Sequence, residues 1–524
     1  MFVRKKKNPS GTVSIQIIDK SRGRYNVYKT IGSSSDAIEI DNLYLQGKRW
    51  IAIQNGERDM FAEAEREREE KQITEYLLNN VESILLNGAQ LILNQVFRIV
   101  GFDVIEDEIF KHLVVARLCQ PSSKAGTVDY LQSYFEEDVE LHKIYRYLDR
   151  LYSSQQERIQ QISVEHTRRI LGGKIGLVFY DVSTLYFETD YGDELRKPGF
   201  SKDGKHALPQ VVLGLLVSEG GYPLAYSIHE GNKYEGHTML PVVEDFVKKF
   251  DLNDFVIVAD SGLMNNDNIN LLEKNGYKYI IGARIKNESA EVKQWILSLE
   301  KKDGCFYELG KLPKSYEAGK LPRSRLIVGY SDKRAAKDRY NRKKGIRRLE
   351  KEYDKGTITK ENINKRGYNK FLELSDDVKI NINYEKVKED ECWDGLKGYM
   401  TNTLMPAESI YKEYSGLWQV EHAFRVTKGT LELRPMFHFT EKRIKAHVCI
   451  CFVAYKVYKE LWRILKNCDD INLSVDKVLN IARTITTVKV KLPVSGETLT
   501  RTMLLTQRHK SIKKLFDQNF WKNA

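Results

Sequence analysis

The stretch KIGLVFYDVSTLYFE, Lys174–Glu188, sets an aspartate, Asp181, in the middle of an apolar run rich in Val, Leu, Phe and Tyr. A run of this length and composition reads as a buried β-strand. Burying a carboxylate there costs several kcal/mol unless it is paired or binds a cation. Taken alone, Asp181 could equally cap a turn at a strand end. A second stretch, DFVIVADSG at Asp254–Gly262, poses the same question, because the five residues before Asp260 are all apolar.

Between and beyond these two stretches the pattern is regular. QVVLGLLVSEGGYPLAYSIHEG is a hairpin turning at Glu219, Gly220 and Gly221, and HTMLPVVEDFVKKF is an amphipathic helix. After Asp260, NNDNINLLEKNG is a short helix closed by Gly276, and YKYIIGARI is another strand. The order is β-β-β-α-β-α-β, which makes the first and fourth strands neighbours. Asp181 and Asp260 would then face each other across about 5 Å, the strand spacing. Two carboxylates that close repel, and a divalent cation removes the repulsion.

A third carboxylate comes from a helix read over PAESIYKEYSGLWQVEHAFRVTKG, with Gly429 and Pro435 marking its end. Tyr414, Glu421 and Lys428 are each seven residues apart and line one face, since seven residues fall only about 20° short of two turns. Leu417, Trp418 and Phe424 supply packing on the adjoining face. A solvated stripe on a surface helix is the plainer alternative; position, one helix after the sheet, favours a role beside the aspartates.

The chain has 524 residues and a net charge of +12, which makes a polyanion such as nucleic acid the first partner to consider. Lys333–Arg366 carries 14 Lys and Arg against five Asp and Glu, a net of +9, so one segment accounts for most of that excess. Its charge lies on most helix faces, so it is expected to stand away from the body or to meet phosphates, with Arg342, Lys343, Arg347 and Arg348 as contacts. The N-terminus is basic and lacks a signal peptide's apolar stretch, and no run is long enough to span a bilayer, which points to the cytoplasm. Six scattered cysteines suit a reducing compartment; Cys449 and Cys451, near His447, read as core residues.

The chain divides into a β-rich unit at 1–58, a helical and DNA-binding unit at 59–172, an α/β catalytic core at 173–285 and 404–465, a basic insertion at 286–403, and a C-terminal tail at 466–524 for DNA or dimer contacts. The insertion is expected to leave the sheet and return with Trp393 near the active site. Trp393 could stack on an unpaired base, although an ordinary core position is the commoner reading.

FYDVSTLYFE, VADSGLMNNDN and the Tyr414–Glu421–Lys428 spacing together resemble the bacterial insertion-sequence transposases of the DDE class, in the subset with the pattern Y-x2-R-x3-E-x6-K. SKDGKHALPQVVLGLLV, IGSSSD and LVVARLCQPSSK resemble the same family. Leu417 stands where the family often has Arg; Arg425, one turn after Glu421, could supply that charge. The resemblance implies a ribonuclease-H-like mixed sheet flanked by helices, with the large insertion before the last catalytic helix. It implies that Asp181, Asp260 and Glu421 hold two Mg2+ ions, with Mn2+ as a substitute. Tyr414 and Lys428 would hold the phosphate backbone. Double-stranded DNA, as transposon ends and target, and a homodimer in the DNA complex are the implied partners. The rival classes are a metal-dependent nuclease on the same fold and an inactive DNA-binding relative.

Overall fold

A computed structural model describes the chain except residues 22, 57–59, 202–203, 235–237, 251, 253, 264–265, 312–323, 365–366, 376–378, 435, 493–494, 518–519 and 522–524. Asp59, Pro435, the Arg366 end of the basic segment and parts of the SKDG and GLMNN motifs lie outside the described residues.

The chain separates into two compact units, Met1–Ile84 with Thr487–Arg501, and Leu85–Thr486 with Thr502–Ala524. In the first, strands Phe2–Lys7, Val13–Asp19 and Asn26–Ser34 form an antiparallel sheet against the helix Ala37–Gln54. The expected β-rich unit 1–58 thus contains a long helix as well as strands. The helix start is capped by Asp36, whose carboxylate accepts from the backbone of Ile38 and Glu39. Strands Thr486–Lys491 and Thr498–Met503 lie in one sheet with Val81–Leu85. Residues 487–501 of the tail therefore fold with the N-terminal unit, and the rest of the tail belongs to the second unit, so it is not a separate appendage.

The second unit is built on a mixed sheet of nine described strands: β1 Leu177–Tyr186, β2 Lys197–Pro198, β3 Pro209–Ser218, β4 Pro223–Glu230, β5 Val256–Ala259, β6 Lys278–Ala283, β7 Phe306–Lys311, β8 Ser324–Tyr330 and β9 Leu396–Thr401. The spatial order is β7-β8-β9-β6-β5-β1-β3-β2, with β4 paired to β3. β1, β5 and β6 run parallel, and the other pairings are antiparallel. β1 to β6 thus follow the expected order, with the short edge strand β2 added.

The interval 286–403 is not wholly an excursion from this sheet, although its helix Asp332–Asp354 and a separate hairpin, Leu372–Ser375 with Lys379–Ile382, lie outside it. The interval supplies β7, β8 and β9 and extends the sheet beyond β6. The reason lies in SRLIVGY and LKGYMT, apolar segments that pair with each other and with β6 and so bury both faces of that edge. The division of the core at 285 and 404 is corrected accordingly.

Two cores lie on the two faces of the sheet. On one, Val178, Tyr180, Ile257 and Ala259 pack with the helix Met239–Phe250 and with Leu263 and Leu272. On the other, Phe179, Leu185 and Val258 pack under helices α2 Ala407–Ser415, α3 Trp418–Arg425 and α4 Glu441–Lys466, which follow α1 Asp332–Asp354 in the chain. α4 is buried on all faces from Ala446 to Leu461, with Cys449 and Cys451 and the charged Lys456, Lys459 and Glu460 included. Helices Gly88–Val100, Glu108–Cys119 and Leu141–Arg150 pack against it, so this stretch of 59–172 shares the core of the sheet. Among the described residues no helix is long and apolar enough to cross a membrane.

Candidate active site

Tyr180 of β1 and Ala259 of β5 are register partners in parallel strands, and Asp181 and Asp260 are the next residue on each. Side chains alternate along a strand, so both carboxylates project to the face of Phe179 and Val258, the side covered by α2 and α3. The Asp181 Oδ1 accepts from the backbone N–H of Val182 at 2.8 Å. Asp260 accepts at Oδ1 from the Tyr414 hydroxyl at 2.8 Å.

α2 reaches this position because Ile410 and Tyr414, one turn apart, both bury against the sheet. Gly282 of β6 leaves room for the tyrosine, since a Cβ there would sit 2.4 Å from the Tyr414 oxygen. Gly416 does the same at the helix end, where a Cβ would meet the Phe179 ring at 2.7 Å. Burial first, and the Asp260 charge second, hold the Tyr414 hydroxyl in its protonated, donating form. The Tyr414 hydroxyl is therefore engaged with the Asp260 carboxylate.

The Tyr414–Glu421–Lys428 stripe does not share one environment. Tyr414 is buried, Glu421 exposed and Lys428 half-buried. The helix tightens at Gly416 and Leu417, whose N–H groups bond to carbonyls three residues back, and widens to a π-turn over Val426–Thr430. These two irregularities break the even seven-residue rotation. Leu417 is buried and brings no charge, and Arg425 is exposed. Among the described residues no three His, Cys, Asp or Glu side chains stand close enough to hold an ion.

A residue that the sequence reading missed links the parts. Lys397 of β9 holds its ammonium 4.2 Å from the centroid of the Tyr414 ring. Burial lowers its pKa most, Arg334 adds to that, and the charges of Asp260 and Glu421 act in the opposite sense. Asp260, Lys397, Arg334, Arg284 and Lys286 line one cleft of about 430 Å³. Arg284 also donates to the carbonyls of Ser261 and Gly262, holding the loop after Asp260. The available signal was a lysine inside the apolar run GLKGYMT.

The basic segment is mostly the helix α1, and it is docked. Ala335, Arg342, Gly345 and Leu349 form a buried stripe along it. Arg342 is 4% exposed and donates to both Asp394 oxygens at 2.6 Å, with Asp390 and Glu391 next in reach. It is thus a structural ion pair and not a DNA contact. Lys343, Arg347 and Arg348 are exposed on the far side, Arg348 in an i,i+4 pair with Glu352. Trp393 packs against the core under the opposite face of the sheet from the aspartates. The chain returns to β9 past that core, so the ring is partly buried there and does not reach the site.

Fold and site define a mixed α/β protein with two aspartates on one face of neighbouring parallel strands and, beside Asp260, a cleft lined by Lys397, Arg334, Arg284 and Lys286. The family described as the transposase DDE domain matches residues 173–456, more than half of the chain, and the chain belongs to that family. The cryo-EM structure of a piggyBac transposase synaptic complex with hairpin DNA is similar over 76% of this chain and 79% of that chain, at 9% identity and a TM-score of 0.36. No curated protein matches the sequence.

Proposed function

We propose that this DDE transposase is encoded by a bacterial insertion sequence and acts in the cytoplasm. It binds terminal inverted repeats, as a homodimer in the DNA complex, and performs metal-dependent strand cleavage and strand transfer. The observation that carries the reading is the placement of Asp181 and Asp260 one register step beyond a pair of parallel strands, on the same face. The order β4-β3-β1-β5-β6 supports a ribonuclease-H-like core.

The donor set fits a hard divalent cation. Asp181 and Asp260 would hold it, with Glu421 as third donor, through oxygens alone, which suits Mg2+ and Mn2+ better than zinc. When bound, two such ions supply charge for the scissile phosphate and acidity for the attacking water or 3′-hydroxyl. Tyr414 holds Asp260 in place by its hydrogen bond. The exposed Lys343, Arg347 and Arg348 lie along one helix, where they can contact phosphates.

The test is strand cleavage and joining on duplexes drawn from the DNA flanking the gene. Asp181→Asn, Asp260→Asn and Glu421→Gln should each abolish cleavage in Mg2+ while DNA binding persists. Retained cleavage in any of the three removes that residue from the site. Cleavage without joining to a target duplex would assign a nuclease.

A further inference from the structure

Lys397 is half-buried on β9, yet among the described residues it forms no ion pair with a carboxylate. Its neighbours do. Lys286 is bound to Asp390 at 2.7 Å, and Arg334 reaches Asp338 at 3.7 Å. Arg284 is spent on the backbone of Ser261 and Gly262. The Lys397 ammonium lies instead over the face of Tyr414, the residue whose hydroxyl holds Asp260. A partly desolvated ammonium without an anion is costly, and a ring face offsets only part of that cost.

Lys397 also lies where two clefts meet. One is the cleft beside Asp260; the other, about 480 Å³, runs toward Lys333 and Lys337 at the start of α1. Lys397, Arg334 and Tyr414 line both. Cations outnumber acids along this path, with Asp260 and Asp303 the carboxylates that line it. Two positive charges at the junction, Lys397 and Arg334, face whatever passes from one cleft to the other.

We propose that Lys397 binds a non-bridging oxygen of the phosphodiester held beside Asp260, with Arg334 on the neighbouring phosphate of the same strand. This rests on the transposase reading. Lys397 takes no proton from the reaction; it fixes the strand against the carboxylates and offsets the charge that grows on the phosphate. Its stem is held by β9 and its head by the Tyr414 ring, so little freedom is lost when the anion arrives.

The full-length chain is assayed in Mg2+ on the flanking duplex, native or carrying a neutral methylphosphonate at the cut position. Lys397→Met keeps the apolar stem and removes the charge, while Lys397→Arg restores it; thermal melts confirm that both fold. On the native duplex Lys397→Met should lower kcat about 100-fold, with Kd held within about threefold, and Lys397→Arg should recover much of the rate. On the methylphosphonate duplex the Met variant and the unaltered chain should cut at the same rate. Equal losses on both duplexes would make Lys397 structural, and near-unaltered cutting by the Met variant would remove its role; either overturns the proposal. Asp260→Asn, run alongside, scores the carboxylate site separately, so failure of that reading is distinguished from failure of this one.

Discussion

Tyr414 shows what one hydroxyl does in this site. It is buried, its ring packs edge-on to Tyr399, and its oxygen donates to Asp260. Tyr414→Phe keeps the ring and removes the bond that fixes the carboxylate. Stability should fall by about 1 kcal/mol. Cleavage should fall about 10- to 100-fold and need more Mg2+, which a metal titration of the rate will read. An unchanged titration would mean that Asp260 needs no such support. Lys124 makes a different case, buried beside Arg117, His438 and His447, with its Nζ 3.5 Å from the His447 Nδ1. Burial brings its pKa down to about 7, with Arg117 adding to the effect. An unfolded lysine binds its proton up to about 10.4, so the cost of charging it in the fold is full below pH 7 and vanishes as pH rises to that value. Lys124→Met should therefore raise Tm at pH 6 and lose that advantage by pH 10, as thermal melts across pH will show.

At the scale of an element, α1 carries two kinds of arginine that composition cannot separate. Arg342 is buried against Asp394, and removing it leaves a carboxylate that is 11% exposed without its partner. Arg342→Gln should destabilise the fold by about 3 kcal/mol. The triple change Lys343→Gln, Arg347→Gln and Arg348→Gln should leave Tm almost unmoved. It should flatten the slope of log K against log salt by roughly three, about one per lost phosphate contact. The two measurements cross: a melt shift in the triple variant, or an unchanged salt slope, would contradict the division of this helix into a docked face and a DNA face. The helical stretch with Glu421 has the same lesson in its backbone. Its seven-residue spacing is plain in the sequence, but the tightened turn at Gly416 and the π-turn at Val426–Thr430 set which side each residue shows.

Across the whole molecule, the interval 286–403 is part of the sheet that carries the aspartates. β9 lies between β6 and β8, and its Thr401 hydroxyl donates to the carbonyl of Tyr279 at 2.7 Å. Replacing 286–403 with a short linker should not yield a smaller catalytic domain. The apolar edge of β6, bared along Ile280 and Ile281, should drive aggregation, which light scattering and loss of the cooperative melt will report. A soluble, folded deletion product would restore the view of this interval as an appended domain.

The sequence alone determined the strands and their two aspartates, because apolar alternation and turn residues are properties of neighbouring positions. The order β1 to β6 and the pairing of β1 with β5 followed from it, and so did the helical stretch bearing Tyr414 and Glu421, which the structure divides into α2 and α3. The family resemblance named the residues; the register put Asp181 and Asp260 on one face. Only the tertiary structure decided the rest. Arg342 finds its acid 52 residues away, Tyr414 its aspartate 154 residues away, and Lys397 its place over Tyr414 through the pairing of β9 with β6. Trp393 is partly buried behind the sheet for the same reason. A charge or an aromatic ring looks alike in a sequence whether it meets water, DNA or a buried partner. What separates these outcomes is desolvation by segments far along the chain, and no local pattern carries that information.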